Sequence, residues 1–333
     1  MKNKIIIIAE AGVNHNGKLT YAKKLALMAK NSGADIIKFQ IFKPELLVSK
    51  NLERAPYQKN NKENNSQLKM LKKLQLSDED FFKLKKYCDK IKIKFMASVF
   101  DEESLNLLRK ISKKYIKIGS SESKNFILLK KVAKLNSNLF LSLGMCDRKD
   151  IKKIINFLKK SGQDLKKVYL MHCNTAYPTP KSDINLLEIK KLNKQKNCKV
   201  GYSDHSIGIL TPCYSVILGA VAIEKHITLN KKMNGPDHKA SLNYNEFRLM
   251  INNIRNLENI LKYKKDRLTK SELKNFKYVT KFFVAKTNIK KNEKFSYLNL
   301  TSQRTGKGIE AHNIEIIGRK SKKYFKKGDI ISI

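Results

Sequence analysis

Two hydrophobic periods alternate along the chain. Short, nearly continuous apolar runs rich in β-branched residues are each followed by a stretch in which apolar residues return every three or four positions. The short runs, Ile5–Ala9, Asp35–Gln40, Lys94–Phe100, Tyr115–Gly119, Leu139–Gly144, Val168–Asn174, Val200–Asp204 and Val221–Thr228, predict eight buried strands. The longer period predicts a first helix capped near Thr20, then helices over Asp80–Lys90, Glu102–Lys110, Phe126–Leu135, Arg148–Lys160, Ile184–Leu192, Ile209–Gly219 and Tyr244–Leu261. Strands apolar on both faces need a helical layer outside them, so eight β/α units within residues 1–262 predict a TIM (β/α)8 barrel.

Two stretches interrupt that rhythm. Residues 42–76, with Ala55-Pro56-Tyr57 and an Asn-rich centre, are too long for an ordinary βα loop and predict an excursion forming part of one wall on the substrate side. Beyond the barrel, residues 263–277 are polar and read as a linker, and residues 278–333 as a small, mostly β module. In that module Ile289-Lys290-Lys291-Asn292-Glu293 is echoed by Phe325-Lys326-Lys327-Gly328-Asp329.

Composition narrows the partners. The chain has 333 residues and 41% apolar composition, enough for a large core. Seventy Lys and Arg against 29 Asp and Glu give a formal charge of +41, which raises the question of a polyanion. Only eight of those 70 are Arg, the residue suited to bidentate phosphate and base contacts, and the lysines are scattered over almost every predicted helix. A general compositional drift explains that pattern better than a nucleic-acid face. The five cysteines are odd in number and form no CxxC pair, which suits a reducing cytoplasm. The chain enters its first strand without a signal-type segment, and no apolar run approaches membrane-spanning length, so an unexported protein without membrane partners is expected.

In a barrel of this kind, chemistry sits where strands end and βα loops begin. His15, His172, His205, His226 and His238 all fall there; His312 lies in the C-terminal module. His205 and His226 end neighbouring predicted strands and could turn two imidazoles toward one divalent metal, though a histidine near a strand end also serves as a satisfied polar residue. Other strand-end polar residues are Glu10, Lys38, Gln40, Ser98, Lys117, Ser120, Glu122, Asn174, Thr175, Ser203 and Asp204. Lys38 and Lys117 interrupt apolar strands, where an unpaired ammonium is costly. Either a phosphate or carboxylate ligand relieves them, or they pair internally with Glu10, Glu122 or Glu224. The loop Gly12–Gly17 lacks the GxGxxG and Walker patterns, there is no GxSxG elbow, and Cys173 beside His172 points to the opposite face. A small phosphorylated substrate is therefore expected rather than a dinucleotide, and nucleophilic hydrolysis is disfavoured.

The segments AEAGVNHNG at 9–17, IKFQIFKPELLVSK at 37–50, HCNTAYPTP at 172–180, GYSDHS, IEKHITL and GPDHKAS closely resemble the sialic acid synthase family, and the resemblance extends through nearly the whole chain. It implies condensation of phosphoenolpyruvate with an N-acetylated amino sugar, N-acetylmannosamine first, to give a nine-carbon 2-keto sugar acid and phosphate. It further implies a divalent metal, usually manganese with magnesium or cobalt as alternatives, held by His205 and His226, and an antifreeze-like C-terminal domain. Lys38, Lys117, Ser120, Asn174 or Thr175, and Ser203 match positions around phosphoenolpyruvate. Glu10, Gln40, Glu122, Tyr177 and Asp237 match positions near the acceptor, with Glu10 or Glu122 handling protons. Arg304 matches an arginine that reaches the sugar's N-acetyl group in the partner subunit's barrel, implying a domain-swapped homodimer.

Departures from the family pattern bear on the acceptor: Thr305 follows Arg304 where proline is usual, and Ser98-Val99-Phe100, Gly119-Ser120-Ser121-Glu122, Ser142-Leu143-Gly144-Met145 and Gly308-Ile309-Glu310-Ala311 replace common family sequences. A legionaminate synthase using a 2,4-diacetamido-trideoxy hexose is the nearest alternative, and a pseudaminate synthase a further one. From other classes, a basic nucleic-acid-binding protein on a barrel scaffold would explain the charge, and an independent saccharide- or ice-binding module would explain the C-terminal part.

Overall fold

The structure, a computed structural model, describes residues 4–53, 66–195, 197–262 and 267–332. The chain divides into two compact units, Met1–Lys262 and Tyr263–Ile333. In the first, β1 (Ile6–Gly12), β2 (Ile36–Ile41), β3 (Lys94–Val99), β4 (Tyr115–Ile118), β5 (Asn138–Ser142), β6 (Val168–His172), β7 (Lys199–Asp204) and β8 (Ala222–His226) close into a parallel barrel in chain order. All eight strands expected from the hydrophobic pattern are present, within about two residues at each end except at β1, which runs to Gly12 rather than ending at Ala9.

A strand's two-residue period explains the layering inside. Ile8, Ile36, Met96, Phe140, Met171 and Ala222 point inward with Tyr169 and form an apolar plug, in which the Phe140 and Tyr169 rings stack at 4.2 Å. Two residues farther along their strands stand Glu10, Lys38, Ser98, Ser142, Cys173 and Glu224, joined by Lys117 and Ser203 from β4 and β7. A dry floor thus carries a buried polar layer at the C-terminal ends. The alternate residues, such as Ile7, Ala9, Ile37, Phe39, Ile116 and Leu141, face the helices.

The helical layer follows from short amphipathic segments, most of them with side-chain caps. In α7 (Arg148–Lys160) Asp147 and Asp150 form a capping box, and Ile151, Ile154 and Leu158 supply the buried stripe. Each such side chain contributes about 1.5–3 kcal/mol by leaving water. Further helices are α1 (Leu19–Ser32), α2 (Pro44–Leu47), α3 (Gln67–Leu74), α4 (Asp78–Lys90), α5 (Glu102–Ile111), α6 (Phe126–Ala133), α8 (Leu187–Leu192), α9 (Leu210–Ile217) and α10 (Tyr244–Ile260).

Two expectations need correction. Thr20 is the second residue of α1, not its cap: the cap position is Lys18, which lacks a side-chain cap bond, and the chain enters through a turn in which Lys18 N–H donates to the His15 carbonyl. Helix α8 starts at Leu187 rather than Ile184, because Asn185 is left-handed (φ 46°) and breaks the helical path. Within the excursion, Phe42, Met70 and Leu74 pack on Val13 of the β1 loop, so its described part lies over the C-terminal end of the barrel. Ala55-Pro56-Tyr57 fall outside the described residues.

The second unit contains α11 (Lys270–Val279), which occupies the second half of the stretch expected as a linker and runs two residues past it, and pairs β9 (Phe282–Ala285) with β10 (Leu300–Gln303) antiparallel. Phe283, Ile289, Phe295, Leu300, Ile316, Phe325 and Ile331 share a small core. The echoed pentapeptides adopt the same turn: Lys290 N–H donates to the Glu293 carboxylate, Lys326 N–H to that of Asp329, and Ile289 and Phe325 pair with each other.

Candidate active site

The polar layer is organised by charge. Lys38 Nζ lies 2.9 Å from Glu10 Oε1, 3.1 Å from Ser98 Oγ and 3.5 Å from Glu224 Oε1. Lys117 Nζ donates to Ser142 Oγ at 2.5 Å and stands 3.7 Å from the same Glu224 oxygen, which also accepts from Ser203 Oγ at 2.9 Å. Two cations and two carboxylates, all buried, nearly cancel. Burial pushes the Glu224 carboxyl up, but Lys117 and Lys38 outweigh it and hold the pKa at about 2. For Glu10 burial wins, helped by the Glu224 charge and opposed by Lys38, so its pKa is raised. Glu224 is thus the fixed anion and Glu10 the carboxyl that takes a proton more readily. Glu10 Oε2 and Glu224 Oε2 are buried without a protein partner.

Above this layer stand the histidines. The His205 and His226 rings are 5.7 Å apart at 62°. His205 Nδ1 donates to the Asn174 carbonyl at 2.5 Å, leaving Nε2 as the acceptor of the Tyr177 hydroxyl at 2.9 Å, and the Tyr177 ring stacks on it. Burial lowers the His205 pKa to about 4 and that of His226 well below its usual value, so both imidazoles are neutral at pH 7. His226 Nδ1 is buried with no hydrogen-bond partner and lies 3.9 Å from Asp237 Oδ2. Burial, with Glu10 adding to it, raises the Asp237 pKa to about 7.

Two neutral imidazoles, one with an orphaned ring nitrogen, fit a borderline divalent ion that takes its other ligands from water or substrate. Among the described residues no group of three or more His, Cys, Asp or Glu side chains could hold an ion.

Loop pairing explains how Asp237 reaches the site. Asn14 Nδ2 donates to the Ile227 carbonyl and to Ser241 Oγ, and Ser241 Oγ to the Asp237 carbonyl, while His238 joins Thr228 and Asn16. The β1 and β8 loops are thereby held together. Gly12, at φ 52° after a register shift in β1, keeps the mouth open: a Cβ there would come within 3.4 Å of Glu10, Gln40 and His226 atoms.

The structure therefore gathers Glu10, Lys38, Gln40, Lys117, Tyr177, Ser203, His205, His226 and Asp237 into one cluster. Ser120 and Thr175 face each other across Gly144, where a Cβ would lie 2.5 Å from Ser120 Oγ and 2.8 Å from Thr175 Cγ2; Ser120 Oγ also meets Cys173 Sγ at 3.2 Å. Asn174 contributes its carbonyl to His205 and its side chain to the Ala176 N–H. Glu122 stands apart, half-buried and bonded to Asn125, and pairs with neither lysine. Arg304 is exposed in the second unit, just after β10.

Of the other histidines and strand-end acids, His172 bonds the Ile184 carbonyl and stacks on Tyr202 in the outer layer, His15 and His238 fasten loops, and Asp204 faces outward. Glu224 was visible in the sequence only as one possible lysine partner. Its two-residue offset from His226 in an apolar strand is the signal that it shares the inner face.

A model of the NeuB family matches residues 25–266. The chain is 43% identical to the N,N'-diacetyllegionaminic acid synthase of Campylobacter jejuni over 98% of its length and 99% of that protein. It is 40% identical to the Legionella pneumophila protein of the same name, over 93% and 88%. Among solved structures, the N-acetylneuraminic acid synthetase of Leptospira borgpetersenii, determined with citrate, superposes with a TM-score of 0.73 at 31% identity, covering 83% of this chain and 91% of that one.

Proposed function

The chain belongs to the NeuB family of phosphoenolpyruvate-dependent condensing transferases, and from that premise we propose that it is an N,N'-diacetyllegionaminate synthase with a 2,4-diacetamido-2,4,6-trideoxymannose acceptor. N-acetylmannosamine, ranked first on motifs alone, becomes the second choice because two relatives at 40% identity or more, matched over 99% and 88% of their lengths, carry the legionaminic name.

The observation carrying the chemistry is the buried pair Lys38 and Lys117 immediately below two neutral imidazoles. Their ammonium groups suit the phosphate and carboxylate of phosphoenolpyruvate, with Ser120, Asn174, Thr175 and Ser203 around them as hydrogen-bonding groups. Carbon C3 of the enol attacks the aldehyde carbon, positive charge develops at C2, water adds there, and phosphate leaves by cleavage of the C2–O bond. The carboxylates of Glu10 and Glu224 suit stabilisation of the C2 cation. Asp237, half-protonated near pH 7, and Glu10 are suited to carrying protons to and from the aldehyde oxygen and the water; Gln40 and Tyr177 suit the acceptor's polar groups. A manganese or similar divalent ion held by His205 and His226 would polarise the aldehyde.

Arg304 in the second unit, read as an antifreeze-like domain, is proposed to reach the acceptor of a partner subunit in a domain-swapped homodimer. To test the function, purified protein with phosphoenolpyruvate and Mn2+ is offered each sugar separately while released phosphate and product mass are measured. Turnover confined to the diacetamido sugar is expected; preference for N-acetylmannosamine would return the protein to neuraminate synthesis.

A further inference from the structure

Behind the two histidines, on the outer face of the same strands, lies a buried ion pair that the proposed chemistry does not use. Asp204 and Lys225 have side chains with 0% exposure, and their Oδ2 and Nζ atoms are 2.5 Å apart. The strand register sets Asp204 opposite Lys225, one rung beyond the inner pair Ser203 and Glu224. Asp204 Oδ1 accepts from the Tyr202 hydroxyl and the Ser206 N–H, both at 2.9 Å, and Lys225 Nζ also donates to the Ser206 carbonyl. Lys225 therefore grips the residues on both sides of His205 while itself preceding His226.

An ion pair buried this deeply gives little net stability, since removing both charges from water offsets most of their attraction. What it does supply is direction. A matched apolar pair would fill the space, but only the charged pair, with its backbone bonds to Ser206, dictates the path of the chain out of β7. That path decides where the His205 ring stands relative to His226.

We infer that Asp204 and Lys225 are positioning residues that set the two imidazoles at their metal-binding separation. The inference rests on the proposed metal role of His205 and His226. Residues that orient metal ligands in this way typically carry about 10–100-fold in metal affinity.

The test uses the full-length Asp204→Asn/Lys225→Met variant, which removes both charges together and keeps an acceptor for Tyr202 and Ser206. Three quantities are measured: Mn2+ affinity by electron paramagnetic resonance, the melting midpoint of metal-free protein, and the ring-nitrogen NMR signals of His205, assigned through His205→Gln. The expected result is affinity lower by about 10–100-fold, a melting midpoint within about 4 °C of wild type, and loss of the single Nδ1–H tautomer bonded to Asn174. Wild-type affinity with an unchanged His205 signal would overturn the inference. So would a variant whose affinity falls only in step with a collapsed melting midpoint, since the pair would then merely hold the fold. If wild-type protein binds no Mn2+ while the variant still loses the His205 tautomer, the metal reading falls and the positioning of the ring stands.

Discussion

Replacing Lys38 by Met tests the balance of charge in the barrel. Its ammonium sits 2.9 Å from Glu10 and 3.5 Å from Glu224, both buried. At an effective dielectric constant of about 20, those separations correspond to attractions of roughly 6 and 5 kcal/mol. Desolvation offsets part of this, and breaking a buried pair from one side typically costs about 3–5 kcal/mol. The variant leaves two carboxylates against Lys117 alone. Relief comes from protonating Glu10, which burial already biases toward its neutral form and which loses its nearest cation. A carboxyl with a raised folded-state pKa stabilises the protein below its unfolded value and loses that contribution as pH climbs through the folded value. Urea unfolding of Lys38→Met should therefore show a deficit of about 3–5 kcal/mol at pH 8 that narrows at pH 5.5. Adding Glu10→Gln restores the charge balance and should recover most of it, to within about 1–2 kcal/mol of wild type. Phosphate release should stay at least about 100-fold down in both variants, because the anion-binding ammonium is gone. A loss under about 1 kcal/mol at pH 8, or a deeper loss on adding Glu10→Gln, would refute this charge accounting.

Further perturbations probe other parts. Asp237, raised to about 7 by burial and by Glu10, gives stability that is complete below the unfolded carboxylate range and lost as pH rises through 7. The stability of wild type relative to Asp237→Asn should accordingly decline between pH 5 and pH 8, and a flat difference would show that Asp237 is ionised throughout. Burial favours the neutral form of Asp35, but bonds from Lys4, the Ile7 N–H and Arg255 outweigh it and lower its pKa, so its contribution is present at neutral pH and lost as pH falls through the carboxylate range. Asp35→Asn should cost about 1–3 kcal/mol at pH 7 and less at pH 3, read by denaturant titration. A Cβ at residue 144 would press on Ser120 and Thr175, so Gly144→Ala should raise the KM for phosphoenolpyruvate about tenfold or more, for about 1–3 kcal/mol of stability at most. An unchanged KM would move the anion site elsewhere.

The barrel was legible because short, largely apolar runs recur ahead of each helical period, and the polar interruptions Lys38 and Lys117 stand out against that background. Strand-end position alone, however, does not say which way a side chain points. Ser203 and His205 share a parity and face inward, whereas Asp204 between them faces the helices, as does His172 on β6. The hub role of Glu224 depends on β4, β7 and β8 closing around one point, a long-range fact that no local pattern contains. The break at Asn185 was equally hidden, since Asn tolerates both helical and left-handed backbone.

The most direct measurement of the central claim uses phosphoenolpyruvate carrying heavy oxygen in the bridge between C2 and phosphorus. With the diacetamido sugar and Mn2+ present, the label should leave entirely in inorganic phosphate, the C2 oxygen of the nine-carbon product should come from solvent, and omitting the sugar should stop the release. Label retained in the product, or phosphate released at the same rate without an acceptor, would contradict a condensing synthase.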